Sequence, residues 1–143
     1  MFLLDTNVVS ELRKANSGKA DKNVVTWAAE NPVTDLFISA ITVQELEVGV
    51  LRVERRDAAQ GVILRDWLES QVLPTFLDRV LPVDVQVARR CAQLNVPQTR
   101  SVQDSLIAAT ALEYRMTVAT RNVRDFEPTG VSILDPWVPS VIA

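Results

Sequence analysis

The chain opens on an uninterrupted apolar run, Phe2-Leu3-Leu4, closed by an acid at Asp5. That pattern predicts a buried strand over 2–5, followed by a short helix over 6–13. Residues 14–22, K-A-N-S-G-K-A-D-K, are polar and contain a glycine, which predicts an exposed loop. Helical spacing returns over 23–31 with Val24, Val25, Trp27 and Ala28 apolar, and Asn31-Pro32 ends it. L-F-I-S-A at 36–40 predicts a second buried strand. Thr42 is expected to open a helix in which Val43, Leu46, Val50 and Leu51 fall at i, i+3, i+7 and i+8, one apolar face. A long helix is expected over 58–73, with Val62, Ile63, Trp67, Leu68 and Leu73 inward and Pro74 as its stop.

In the second half, R-V-L-P-V at 79–83 predicts a short strand, at a sheet edge because of its proline. A helix is expected over 84–95, ended by N-V-P. The segment 102–115 is rich in alanine and apolar nearly all round, which predicts a helix buried in the middle of the fold. Strands are expected over 116–120 and 131–134. Strands alternating with helices predict an α/β sandwich with a largely parallel central sheet, as one domain spanning residues 1–143. In such folds the functional crevice lies beyond the carboxyl ends of the strands. That directs attention to Asp5, to Ser39 with the helix after it, and to Thr120 with the residues that follow.

Composition narrows the chemistry. With 48% hydrophobic and 23% charged residues the chain can bury a core and stay soluble. Histidine is absent, which excludes Ser-His-Asp and Cys-His catalysis and any His-ligated metal. Cys91 is the one cysteine. It rules out a disulfide framework and a multi-cysteine zinc site, and its place on a helix face reads as a small core hydrophobe. The net charge of −3 gives no broad basic surface for nucleic acid, but it leaves room for an acidic site neutralised by metal. No basic stretch precedes an apolar run at the N-terminus, and no run approaches the roughly 18 residues of a membrane span. The expectation is therefore no signal peptide, no membrane contact and a cytoplasmic protein.

Three acids stand where the crevice is expected. Asp5 ends the first strand, where it reads equally as a helix N-cap and as a metal or phosphoryl ligand. Glu45 in T-V-Q-E and Asp104 in S-V-Q-D both match the capping-box pattern, so each has a structural reading of its own. Helix starts that follow strands share one edge of a parallel sheet with the strand ends, so all three carboxylates can converge. Like charges raise one another's pKa, and a divalent cation resolves the conflict. Hard oxygen ligands suit Mg²⁺, with Mn²⁺ as a substitute. Such a site activates water for in-line attack at phosphorus without histidine. Asn7, Ser39, Thr120 and Asn122 surround the acids as candidate orienting groups, each with a turn, cap or edge-strand reading beside it.

The ordered segments L-L-D-T-N, I-S-A-I-T-V-Q-E-L-E-V-G-V, D-S-L-I-A-A-T-A-L and V-A-T-R-N-V-R-D-F resemble the motifs of PIN-domain ribonucleases. More narrowly, the chain resembles the VapC and FitB-type toxins of bacterial type II toxin–antitoxin modules, from residue 2 to about Trp137. The resemblance implies a PIN-like three-layer sandwich and a Mg²⁺-dependent endoribonuclease that cuts RNA, tRNA being one candidate, and inhibits translation. It also implies a link to plasmid stability. By motif position it makes Asp5, Glu45 and Asp104 the catalytic and metal-binding acids, with Asp5 and Asp104 as the direct ligands. The fourth acidic position departs from the pattern: the residue after Thr-Arg, often Asp in relatives, is Asn122 here, and Asp125 follows three residues later. The partners implied are an RNA substrate, a second copy in a homodimer, and a cognate antitoxin carrying a DNA-binding domain through which operator DNA is reached.

Arg121 and Arg124 flank that last motif and are candidate RNA contacts. Arg52, Arg55, Arg56, Arg89 and Arg90 read better as solvated helix faces, and Trp27, Trp67 and Trp137 as buried or interface residues rather than base-stacking ones. Two competing functions remain open: a PIN-like module kept for protein binding, and an aspartyl-phosphate phosphatase or phosphotransfer domain. The latter is weakened by the absence of a second acid two residues after Asp5 and of a lysine after a late strand.

Overall fold

A strand buried on both faces needs no polar alternation, and the first strand shows it. In the computed structural model, which describes residues 1–139, β1 (Phe2–Leu4) has Leu3 and Leu4 fully buried. The pleat sends them to opposite sides of the sheet. Leu4 joins Val8, Val24, Leu46 and Leu68 in one core, and Leu3 joins Ile107, Ala108, Val118 and Phe126 in the other. The first core is built under α1 (Thr6–Leu12), α2 (Lys22–Glu30), α3 (Ala40–Arg56), α4 (Ala58–Trp67) and the short α5 (Leu73–Thr75). The second lies under α7 (Val102–Tyr114) and α8 (Val123–Phe126), with Leu94 of α6 (Val85–Leu94) packed against it. The result is the three-layer sandwich expected from the sequence.

The remaining strands are β2 (Leu36–Ser39), β3 (Val80–Leu81), β4 (Thr117–Ala119) and β5 (Ile133–Leu134). They form one five-stranded sheet in the order β3-β2-β1-β4-β5, and every neighbouring pair is parallel. Leu3 stands opposite Phe37 on one side and Val118 on the other. The chain moves outward from β1 in one direction through β2 and β3, then returns to the other side for β4 and β5. The strand order therefore reverses between β1 and β4, and a crevice opens beyond their carboxyl ends. Phe2 meets Trp27 edge-to-face with ring centroids 5.2 Å apart, fixing α2 against the sheet. No helix among the described residues is long and apolar enough to cross a membrane.

Several expectations change. The third helix starts at Ala40, capped by Ser39, whose hydroxyl accepts the Ile41 amide at 3.0 Å. Thr42 is inside that helix and fully buried, and Leu51 is exposed. The 58–73 segment is not one α-helix. It passes through a π-helical stretch at Leu68–Val72 and continues past Pro74. Val62 and Ile63 are 68% and 56% exposed, and the inward stripe runs instead through Gly61, Leu64, Leu68 and Val72. The cause is close packing of the α3–α4 hairpin. A Cβ on Gly61 would lie 2.6 Å from Glu54 Cα, and Arg65 clamps the same pair of helices through Glu54 and Glu47.

Candidate active site

Asp5 is held at the point where the sheet order reverses. Its amide still donates to the Ala119 carbonyl of β4, at 2.9 Å. Its side chain caps α1, Oδ1 accepting the Thr6 amide at 2.8 Å. Oδ2 accepts the Thr120 hydroxyl at 2.7 Å and the Asn7 amide at 3.4 Å. Thr120 is itself fully buried, and its hydroxyl accepts the Asn122 amide at 3.0 Å. The cap reading of Asp5 thus holds, and the same residue lines an open cavity of about 440 Å³, so capping does not exclude the site reading.

Glu45 and Asp104 line the same cavity. Because α3 begins at Ala40, Glu45 sits beyond the first turn and the Thr42 capping box does not form. Instead the Thr6 hydroxyl donates to Glu45 Oε1 at 2.9 Å, tying α3 to the start of α1. Asp104 stands in the first turn of α7, where the Ser101 hydroxyl accepts its amide at 3.4 Å, one half of the expected capping box. Asn7, Asn122 and Arg121 also face this cavity. Ser39 supports it only from below, by starting α3. Arg124 does not line it.

The electrostatics are those of crowded, uncompensated carboxylates. Burial pushes the Asp5 carboxyl up, opposed by its bonds to Thr120 and Thr6, and Asp125 adds a further push upward. Burial likewise raises Glu45, against the Thr6 bond, with Asp5 adding to the rise. Asp104 is raised furthest, to about 6, by burial first and then by Asp5, Asp125 and Glu45. No Lys or Arg forms an ion pair with Asp5, Glu45 or Asp104 among the described residues. The fourth position is therefore divided: Asn122 supplies an amide on the cavity wall, and Asp125 supplies charge felt by Asp5 and Asp104.

This donor set, carboxylate and amide oxygens only, fits a hard divalent cation. Among the described residues no group of three acids stands close enough together to hold a metal ion by protein ligands alone; a cation here would rest on one or two carboxylates and on waters, as Mg²⁺ can. Of the wall supplied by α1, sequence reasoning named Asn7 and missed Ser10 and Glu11, with Lys14 just beyond the helix end. The four face the cavity together, and their i, i+3, i+4, i+7 spacing is a polar stripe that could have been read. Trp137 packs partly buried against the first core, as expected, and also lines the cavity, with the Arg121 guanidinium 5.2 Å from its ring centroid. No local pattern signals that meeting. Trp67 is partly buried against the first core, Trp27 is buried, and Cys91 is half-exposed with its thiol pushed up by burial.

Comparison with known proteins places this geometry. The profile of the PIN domain family matches residues 2–130. The chain is 38% identical over 145 residues to the VapC ribonuclease Y4jK of Sinorhizobium fredii, covering 98% of this chain and 100% of that protein. It is 37% identical to the toxin FitB of Neisseria gonorrhoeae, covering 96% and 99%. Its fold superposes on the solved structure of FitAB bound to an IR36 DNA fragment with a TM-score of 0.87, at 34% identity over 99% of each chain.

Proposed function

This chain belongs to the PIN-domain family, and from that premise we propose that it is a Mg²⁺-dependent endoribonuclease acting as the toxin of a type II toxin–antitoxin module. The observation that carries the reading is the meeting of Asp5, Glu45 and Asp104 in one cavity at the β1/β4 edge, in a chain without histidine. Asp5 and Asp104 would hold the metal, with Glu45 joining directly or through water. Mg²⁺ bound there supplies Lewis acidity toward the scissile phosphodiester and toward the attacking water.

The chain's own groups do the rest. Thr120, Asn7 and the Thr6 amide fix the orientation of the Asp5 carboxylate, so that no reorganisation is needed as charge develops at phosphorus. Glu45, held on the cavity wall by the Thr6 hydroxyl, is the carboxylate left to take a proton from an attacking water. The Asn122 amide, on the cavity wall, would orient a water beside the metal. The relatives' names, VapC ribonuclease and toxin FitB, support cleavage of RNA, with tRNA and loss of translation as the finer reading. The FitAB complex on DNA supports a cognate antitoxin as partner and operator DNA reached through it. A homodimer and a cytoplasmic location complete the proposal.

The test is induction of the chain alone beside Asp5→Ala and Asp104→Ala at matched soluble levels, with total RNA examined soon after induction. Growth arrest with a discrete RNA cut, lost in both variants and relieved by the antitoxin, is the expected result. Normal growth and intact RNA from abundant folded wild type would overturn it in favour of a protein-binding module.

A further inference from the structure

All three lysines of this acidic chain, Lys14, Lys19 and Lys22, fall within nine consecutive residues that follow directly on Arg13. The structure places Arg13, Lys14 and Lys19 around a second hollow of about 450 Å³, whose other wall is α4 with Trp67 and Asp66. Lys14 lines both this hollow and the acidic cavity, so the two are adjacent. An Arg–Trp stack stands at each outer end. Arg13 lies 5.9 Å from the Trp67 ring centroid, and Arg121 lies 5.2 Å from that of Trp137. Trp137 is anchored by the Asn23 amide on its carbonyl at 2.8 Å and by Asp135 on its own amide at 2.9 Å.

We propose that these features form a binding track for unpaired RNA. Arg13, Lys14 and Lys19 hold backbone phosphates on one side of the acidic cavity, and Trp67 and Trp137 offer base-stacking faces at its two ends. This rests on the endoribonuclease reading and adds where the substrate strand lies. Cations that follow a backbone, interleaved with aromatic rings, are the physical signature of single-strand binding. A duplex keeps its bases stacked inside and cannot offer them to either tryptophan.

The experiment measures binding of fluorescein-labelled oligouridylate and oligoadenylate, with a duplex of the same length as comparison, to the full chain in EDTA across a salt series. Lys14→Gln/Lys19→Gln should flatten the slope of log affinity against log salt by about 1.4, at about 0.7 per phosphate contact. Arg55→Gln/Arg89→Gln, which removes two charges outside the track, should leave the slope unchanged. Trp67→Leu should weaken single-strand binding by about 5- to 160-fold, the range for one base–aromatic stack, while Trp67→Phe should retain most of it. Because Trp67 also packs on the core, melting temperatures accompany both variants, and the exposed lysine pair carries the test if Trp67→Leu does not fold. Cleavage of total RNA with Mg²⁺ is followed in parallel. If wild type cuts RNA and the track variants bind oligonucleotides as it does, the track is overturned and the nuclease reading stands. If wild type neither cuts nor binds RNA, both fall. If the lysine pair matters only for holding a copurified antitoxin, the hollow belongs to that peptide and the track is overturned.

Discussion

Replacing Asp104 by Asn should stabilise the metal-free protein at neutral pH while destroying its activity. The Asp104 carboxyl has a folded pKa of about 6 against an ordinary 3.8, so the native state binds protons more tightly than the unfolded chain. Its contribution to stability is complete below about pH 3.8 and is lost as pH rises through about 6. At about 1.4 kcal/mol per pKa unit the penalty has a ceiling of about 3 kcal/mol. Asp104 is only half-buried, and solvent screening brings that down to about 1 kcal/mol. An acid in the first turn of a helix normally gains about 0.3–1 kcal/mol from the helix dipole, and the upward shift means that burial and the neighbouring acids outweigh it. Asp104→Asn should therefore melt about 2–4 °C above wild type near pH 8 in EDTA, with the gain fading to nothing near pH 4. Thermal melts over that pH range, with and without Mg²⁺, are the assay. Saturating Mg²⁺ should raise wild type more than the variant, since ligand that binds only the native state stabilises it by mass action. The order of the two melting temperatures should then reverse. A variant that melts at or below wild type in EDTA at pH 8, or a gain that does not change with pH, would refute the reasoning and return Asp104 to a helix-capping role.

Thr120→Val removes the hydroxyl on Asp5 Oδ2 and leaves a buried carboxylate short of a donor. A hydrogen bond to a charged group is worth about 1.5–3 kcal/mol, so the melting temperature near pH 8 should fall by about 3–12 °C. The loss should shrink at low pH as Asp5 protonates, which the same pH series of melts reads. Gly61→Ala places a Cβ 2.6 Å from the Glu54 backbone. The overpacking, about 1–3 kcal/mol, should exceed the gain of up to about 1 kcal/mol in helix propensity and lower the denaturation midpoint. Gly49→Ala, on the same α3–α4 hairpin with nothing within 4 Å of the new Cβ, should raise it by about 0.5–1 kcal/mol. Equal effects of the two glycine substitutions would contradict the close approach of α3 and α4.

The parts of the fold that could be read from the sequence are those where burial leaves one interpretation. Phe2-Leu3-Leu4 is apolar on both pleat faces because both cores need it, and 105–112 is apolar nearly all round because the middle of α7 is enclosed. The 58–73 segment was less determinate. Apolar residues at 62, 63, 64, 67, 68, 72 and 73 cover more than one stripe, and which stripe turns inward is decided by Gly61 against Glu54 and by the π-helical stretch, both tertiary facts. Ser39 and Thr42 are equally good caps by type, and the end of β2 decides between them. At the site, Asp5, Glu45 and Asp104 were legible because strand ends and helix starts share a sheet edge. Thr6, which ties α1 to Glu45, carried no signal beyond its place at a helix start. Trp137 reaches the cavity because the segment after β5 sets it beside Asn23.

The two acids expected to hold the metal differ in how they are restrained, and the difference has a chemical consequence. Asp5 is fixed by three donors and by its own amide in the β1/β4 ladder, whereas Asp104 is raised by burial and by its neighbours' charge with no hydrogen bond opposing the rise. On the proposed reading a cation arriving at the cavity would meet one rigid oxygen pair and one carboxylate that gains most from being neutralised, so Asp5 would set its position and Asp104 would supply much of the driving force. The same crowding means that a phosphate approaching the metal-free cavity is repelled by Asp5, Glu45, Asp104 and Asp125 together. An acidic chain that acts on RNA must then attract its substrate from beside the site, within the roughly 10 Å over which exposed charges act at ordinary salt. The gathering of every lysine into residues 14–22, with Lys14 on the rim of the acidic cavity and 3.4 Å from Glu11, answers that requirement.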